Sequence, residues 1–261
     1  MLELLLITNE PQQAKEWDAA GVDIIFIDLE IAGKHERQGH LNTVISSHNI
    51  EDVSLIKAEL STSKLLVRVN PLNDSSHAEV EEVIDRGADI IMLPMFKSSD
   101  EVSELVEMVA GRSQIYPLIE TPEALSEIES LAVMDSISGF HFGLNDLHLA
   151  LNLNFMFEVM LLPEFQRATE VLKEHNRLFG VGGVARMGTG MLPGEVVVRE
   201  NFRVGSQRII LSRGFKSEIV AEEYSEEIAL VKKTYLNSAS IDLEANRRNF
   251  TALVKKIAEV K

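Results

Sequence analysis

Hydrophobic residues fall along the chain in short continuous runs, and between them apolar positions recur every three or four residues. The runs cover residues 4–8, 22–28, 64–70, 89–94, 114–120, 136–142, 177–183 and 207–212, eight in all. Continuous apolar runs of this length read as strands buried on both faces. The intervening stretches carry helix signals: "EVEEVIDRGA" ends at Gly87, "SSDEVSELVEMVAG" opens on a Ser/Asp cap and closes at Gly111, and "TPEALSEIESLA" has Pro122 in its first turn. Strand followed by helix, eight times over, predicts a parallel sheet closed into a (β/α)8 TIM barrel with additional C-terminal helices. An open dinucleotide-binding sheet is the weaker reading, because no GxGxxG follows the first strand.

From about residue 214 onward the pattern is helical, "EEYSEEIALVKKTYL" and "IDLEANRRNFTALVKKIAEV" being separated by "NSAS". This divides the chain into a barrel over residues 1–235 and a helical extension over 236–261. Leu243, Phe250, Leu253, Val254, Ile257 and Val260 form an apolar stripe on the extension. Such a stripe must be buried, either over its own barrel or exchanged onto a neighbouring subunit.

Composition narrows the function. The 261 residues are 45% hydrophobic with a mean hydropathy of +0.03, and barrels of this kind fill about 250 residues as one domain. The balance of 25 basic and 41 acidic residues gives −16, which repels nucleic-acid backbones and anionic lipid. An anionic small substrate would therefore need a local positive site, a metal ion or placed arginines. There is no cysteine, so disulfides, thiolate metal sites and a cysteine nucleophile are excluded, and a cytoplasmic location is expected. No run approaches the roughly 18 to 20 apolar residues of a membrane span, and the start reads as a first strand, not a signal peptide.

In a barrel the chemistry sits at the carboxyl ends of the strands. Asp28 and Glu30 fall at the end of the second run, Arg68 and Asn70 in the third, Glu120 at the fifth and Asp146 just past the sixth. Neighbouring parallel strands lie about 4.8 Å apart, so Glu120 and Asp146 can share one divalent cation. Two protein carboxylates completed by water suit Mg2+, with Mn2+ or Co2+ as alternatives, and leave positions open for a substrate. Arg68, costly inside an apolar strand, would hold a carboxylate or stabilise a developing oxyanion. Together these residues describe a site for a 2-oxo acid. A Schiff-base mechanism would need a lysine inside a strand; Lys64 opens the third run and Lys97 lies beyond the fourth.

Four ordered segments, "VDIIFIDLE", "LLVRVNPLND", "GADIIMLPMFKSSDEV" and "PLIETPEALSEI…ISGFHFGLNDL", resemble the HpcH/HpaI aldolase and citrate lyase β-subunit superfamily over about residues 20 to 150, with weaker agreement at "GSQRIILSRGF". The resemblance implies a metal-dependent aldolase cleaving a 4-hydroxy-2-oxo acid to pyruvate and an aldehyde. It assigns Glu120 and Asp146 to the metal, Arg68 to the enolate, and the N–H groups of Gly143, Leu144 and Asn145 to the substrate carboxylate. It also implies a homo-oligomer, a hexamer with exchanged terminal helices. Asp28 with Glu30 would order a water or a base behind the metal ligands.

The chain departs from that pattern at three points. Pyruvate aldolases carry a histidine directly after the strand-two glutamate; Ile31 stands here, and the further acidic residue of the citrate-lyase branch is missing too. The frequent glutamine two residues before the metal glutamate is Leu118. "IAGKHERQGH" offers a replacement base in His35, beside Glu36, Arg37 and His40. The alternatives are an acyl-CoA lyase of the malyl- or citramalyl-CoA type and a weakly catalytic barrel serving as assembly subunit or metabolite sensor. "VGGVARMGTGM" reads as a Gly-rich loop, with Arg186 a second candidate for contact with an anionic substrate; His141 and His148 read as structural histidines.

Overall fold

The computed structural model describes residues 2–31, 48–217 and 219–260. Its eight strands are β1 (Glu3–Ile7), β2 (Ile24–Asp28), β3 (Lys64–Arg68), β4 (Ile90–Leu93), β5 (Gln114–Ile119), β6 (Phe140–Phe142), β7 (Phe179–Val184) and β8 (Arg208–Leu211). They pair in parallel and in chain order, β8 returning to β1, so the sheet is a closed barrel. Each strand falls within or beside an apolar run of the sequence. The register sets Asp28 beside Arg68, Arg68 beside Met92, and Ile119 beside Phe142.

Alternation along the strands separates two cores. Leu5, Ile24, Phe26, Leu66, Ile90, Met92, Tyr116 and Leu118 form one compact cluster, the barrel filling. The intervening positions, such as Ile25, Ile27, Val67 and Ile91, join the larger cluster with helix residues such as Trp17, Val53 and Leu105. The helices are α1 (Pro11–Ala20), α2 (Glu51–Glu59), α3 (Ser76–Asp85), α4 (Ser99–Val109), α5 (Pro122–Ser126), α6 (Ile128–Ala132), α7 (Leu144–Ala150), α8 (Pro163–Glu174), α9 (Gly194–Val204), α10 (Arg213–Ser217), α11 (Tyr224–Asn237) and α12 (Leu243–Ala258). The sequence reads residues 121–132 as one helix, but the chain breaks at Glu127 into α5 and α6. The sixth strand begins later than its apolar run, because the Ile137 amide closes a turn onto Met134.

Asp18 locks α1 to the entry of β3. Its carboxylate accepts from the amides of Ser61, Thr62 and Ser63 and from the hydroxyls of Thr62 and Ser63, at 2.6 to 3.1 Å for the closest contacts. Burial works to raise its pKa, but the Ser63 hydroxyl, the Ser61 and Ser63 amides and the Thr62 hydroxyl outweigh it and hold the carboxyl well below the usual range. A depressed pKa stabilises the fold above the unfolded-state value and is lost as pH falls through the acid range. Asp18→Ala strands these donors, and the expected loss is about 3 kcal/mol at neutral pH, shrinking toward pH 3, read by denaturant unfolding.

The terminal stripe lies over its own barrel. Phe250 and Val254 of α12 are fully buried, and Arg247 reaches the buried Glu200 of α9 at 2.7 Å. Leu253 and Ile257 are partly buried, whereas Val260, counted in the stripe from its spacing, is 84% exposed at the frayed end. No helix among the described residues is long and apolar enough to cross a membrane.

Candidate functional site

Two side-chain groups meet at the carboxyl-end mouth. In the first, Arg68 at the end of β3 grips Asp28 at the end of β2 in a bidentate pair, Nε to Oδ1 and Nη2 to Oδ2, each 2.8 Å. Nη2 also lies 3.2 Å from Glu30 Oε2. The adjacency follows from register, since Asp28 and Arg68 are Cα partners. The Glu30 amide donates to Asp28 Oδ1 at 3.2 Å, and Asn70 Oδ1 accepts from the Ile31 amide at 2.9 Å while its Nδ2 donates to Glu79 at 2.8 Å. Burial disfavours the Arg68 charge, yet Asp28, Glu30 and Glu120 together hold its pKa above the ordinary value. Arg68 is thus a fixed cation within electrostatic reach of Glu120.

The second group is Glu120 and Asp146. Both line one cavity of about 440 Å³, together with Met95, Lys97 and Leu149. Glu120 directly follows β5 and is 2% exposed; Asp146 lies in the first turn of α7. Thr121, not Glu120, caps α5, its hydroxyl accepting from the Ala124 amide. Burial pushes the Glu120 carboxyl up to about 8; Arg68 lowers it, Asp146 and Glu30 raise it further, and the Met95 amide lowers it with a 3.1 Å hydrogen bond. To present that amide Met95 takes a left-handed backbone with φ 55°, rare for a side chain with a Cβ and the kind of strain that gathers at functional sites.

Gly143 is required by Glu120. A Cβ there would stand 2.7 Å from both Cβ and Oε2 of Glu120. Its amide, expected on the substrate carboxylate, instead donates to the Ile119 carbonyl at 2.9 Å and continues the sheet. That expectation is corrected: an amide committed to the sheet is not available to a ligand, which leaves the backbone of Leu144 and Asn145 at the start of α7. Gly143→Ala is expected to displace the Glu120 carboxylate and weaken divalent-metal binding at least about tenfold, measured by titration calorimetry, with a change in stability of under roughly 2 kcal/mol.

His35, with Glu36, Arg37 and His40, lies outside the described residues. His48 was not singled out in the sequence; its Nδ1 accepts from the Asp28 amide at 3.0 Å. Arg186 is held by Glu227 at 2.9 Å and Glu223 at 3.5 Å, tied to α11 and its approach, so it is occupied by the protein's own carboxylates. The first residues of "VGGVARMGTGM" belong to β7. Lys97 is an exposed neighbour of the cavity and not a strand lysine. Among the described residues no group of three or more His, Cys, Asp or Glu side chains is arranged to hold a metal. Glu120 and Asp146 are the two carboxylates that line the cavity, and such a pair suits a hard cation completed by water and substrate oxygens.

No curated protein sequence matches the chain. Among solved structures it is similar to an HpcH/HpaI aldolase from Desulfitobacterium hafniense DCB-2, with 16% identity and a TM-score of 0.59 over 89% of this chain and 92% of that one. It is also similar to an HpcH/HpaI aldolase/citrate lyase family protein from Burkholderia cenocepacia J2315, with 16% identity and a TM-score of 0.65 over 89% and 93% of the two chains. The citrate synthase SbnG aligns at 19% identity and a TM-score of 0.61 over 89% and 93%. At these identities the likeness speaks for the fold. The family profile reaches further, matching residues 3–186, a stretch that holds β1 to β7 and both side-chain groups of the mouth. The chain therefore belongs to the HpcH/HpaI aldolase/citrate lyase family.

Proposed function

We propose that the chain is a divalent-metal-dependent carbon–carbon lyase, a class II aldolase that interconverts a 4-hydroxy-2-oxo acid with pyruvate and an aldehyde. The family is one of aldolases and lyases and is generally metal-dependent. The observation that carries the reading is geometric: Glu120, 2% exposed, and Asp146 line one cavity at the carboxyl-end mouth, where Arg68 is held in place by Asp28. Glu120 and Asp146 would hold the cation, Mg2+ first. When bound, the ion supplies Lewis-acid polarisation of the substrate's 2-oxo group.

The chain's own residues account for the rest. Arg68, oriented by Asp28 and Glu30, faces the negative charge that develops on the keto oxygen as the C3–C4 bond breaks. The amides of Leu144 and Asn145 donate to the substrate carboxylate. The 4-hydroxyl proton leaves with cleavage and C3 takes up a proton; His35, or a water ordered by Asp28 and Glu30, carries that exchange.

The test is proton exchange at C3 of pyruvate in D2O, followed by NMR with and without Mg2+ or Mn2+. Metal-dependent exchange is expected in the wild type and background exchange in Glu120→Ala. Exchange absent under every metal rejects the aldolase reading. Cleavage of malyl- or citramalyl-CoA with free hydroxy-oxo acids untouched replaces it with the thioester reading.

A further inference from the structure

The barrel interior below the mouth contains polar atoms that the proposed reaction leaves unused. His141 of β6 is 1% exposed, and neither Nδ1 nor Nε2 has a hydrogen-bond partner among the described residues. Arg208 of β8 is 3% exposed; its Nε binds Glu3 at 2.6 Å, but among the described residues its Nη1 has no partner either. His141 is the register partner of Leu118, two residues before Glu120, so it stands one side-chain layer beneath the carboxylate pair. It is also the partner of Gly180, which in turn pairs with Arg208.

The barrel wall is cut back to admit both groups. A Cβ on Gly180 would stand 2.3 Å from His141 Nδ1, and a Cβ on Gly139 would stand 1.9 Å from Arg208 Nη1. Gly180 in β7 and Gly139 just before β6 thus give up a side chain in a barrel interior that is ordinarily filled with bulky apolar residues. Tyr116 lies under the Arg208 guanidinium at 4.1 Å, closing the layer on the β5 side. Three buried polar atoms left dry in one layer would be strongly destabilising, and buried groups of this kind are ordinarily satisfied by ordered water.

We infer that this layer is a binding site for ordered internal water, bridging an imidazole nitrogen of His141 and Nη1 of Arg208. The charges select a neutral ligand. Glu3 already neutralises Arg208, so an anion gains little. Burial, with Arg208 and Arg68 adding to it, pushes His141 down to about 3, which keeps the ring neutral, with one nitrogen donating and one accepting. Burial, opposed by Arg208, pushes Tyr116 up to about 12, so it stays a neutral phenol. A cation would meet the guanidinium.

The experiment compares wild type with His141→Leu, which removes both nitrogens at similar volume, in the full chain. Magnetic relaxation dispersion of water counts long-lived internal molecules, and the variant is expected to hold at least one fewer. Its Tm is expected to fall by roughly 3 °C or more, because Arg208 Nη1 loses its bridge. If the layer is dry, removing two unsatisfied nitrogens raises Tm and leaves the water count unchanged; either result overturns the inference. Should the variant fail to fold, a high-resolution crystal structure of the wild type decides: density within about 3.2 Å of both a His141 nitrogen and Arg208 Nη1 supports the site, and its absence rejects it.

Discussion

In metal-free buffer the chain is expected to lose stability as pH rises from about 4.5 to about 8, and to recover it when Mg2+ or Mn2+ is added. Unfolded, the Glu120 carboxyl gives up its proton near 4.5; folded, burial holds it until about 8. Between those values the native state binds more protons than the unfolded one, so unfolding becomes easier with rising pH, and above 8 the dependence from this group ends. The loss is on the order of 5 kcal/mol, or roughly 10 to 20 °C in Tm for a chain of this size. A cation at Glu120 and Asp146 competes with that proton, so metal affinity should strengthen as pH rises toward 8, and metal at 100 times its Kd should restore about 2.7 kcal/mol. Glu120→Gln carries the amide without the charge and should lose both the pH slope and the metal effect. Thermal scans at several pH values, with and without metal, read all of this. A slope that persists unchanged in Glu120→Gln would assign it to other groups and remove the main support for a cation at the mouth.

The barrel was legible in the sequence because its strands are buried on both faces. "DIIMLP" and "VDIIFID" cannot alternate with polar positions and still fill the space between a helix ring and a barrel interior, so their apolar runs stand out. The positions of Asp28 and Glu120 at run ends follow from the same fact, since a charge ends an apolar run where the strand meets solvent or a ligand. What stayed hidden depends on backbone geometry. Met95 offers its amide to Glu120 only through a left-handed φ, and nothing in the letters "PMF" signals it. Gly143 looks like part of a carboxylate cradle, but its amide belongs to the sheet and its missing Cβ belongs to Glu120. The five-donor nest around Asp18 joins residues more than forty positions apart, a pairing that no local pattern encodes. Ile31, which breaks the family pattern, is 57% exposed and donates its amide to Asn70.

Arg68→Lys should lower turnover about 100- to 1,000-fold while leaving metal binding within a few-fold of wild type, because it removes a charge-stabilising donor and not a ligand. Lysine keeps the positive charge but cannot reproduce the fork that meets Asp28 at 2.8 Å through both Nε and Nη2 while sharing Nη2 with Glu30. Arg68→Met separates that chemistry from the structural role. It removes the Arg68 side of the buried pair with Asp28 and Glu30, 5% and 2% exposed, and breaking a buried pair on one side costs about 3 to 5 kcal/mol. It also removes the group that lowers the Glu120 pKa, so the proton there should be held to higher pH and metal should bind more weakly below about 8. Adding Asp28→Asn to Arg68→Met removes the charge that Arg68 meets in its bidentate pair. The double variant should regain stability relative to Arg68→Met, with a coupling between the two sites of about 1 kcal/mol or more, and regain no turnover. Recovery of turnover alongside stability would show that Arg68 serves only to neutralise Asp28, and the charge developing on the substrate would then have to be met from elsewhere in the mouth.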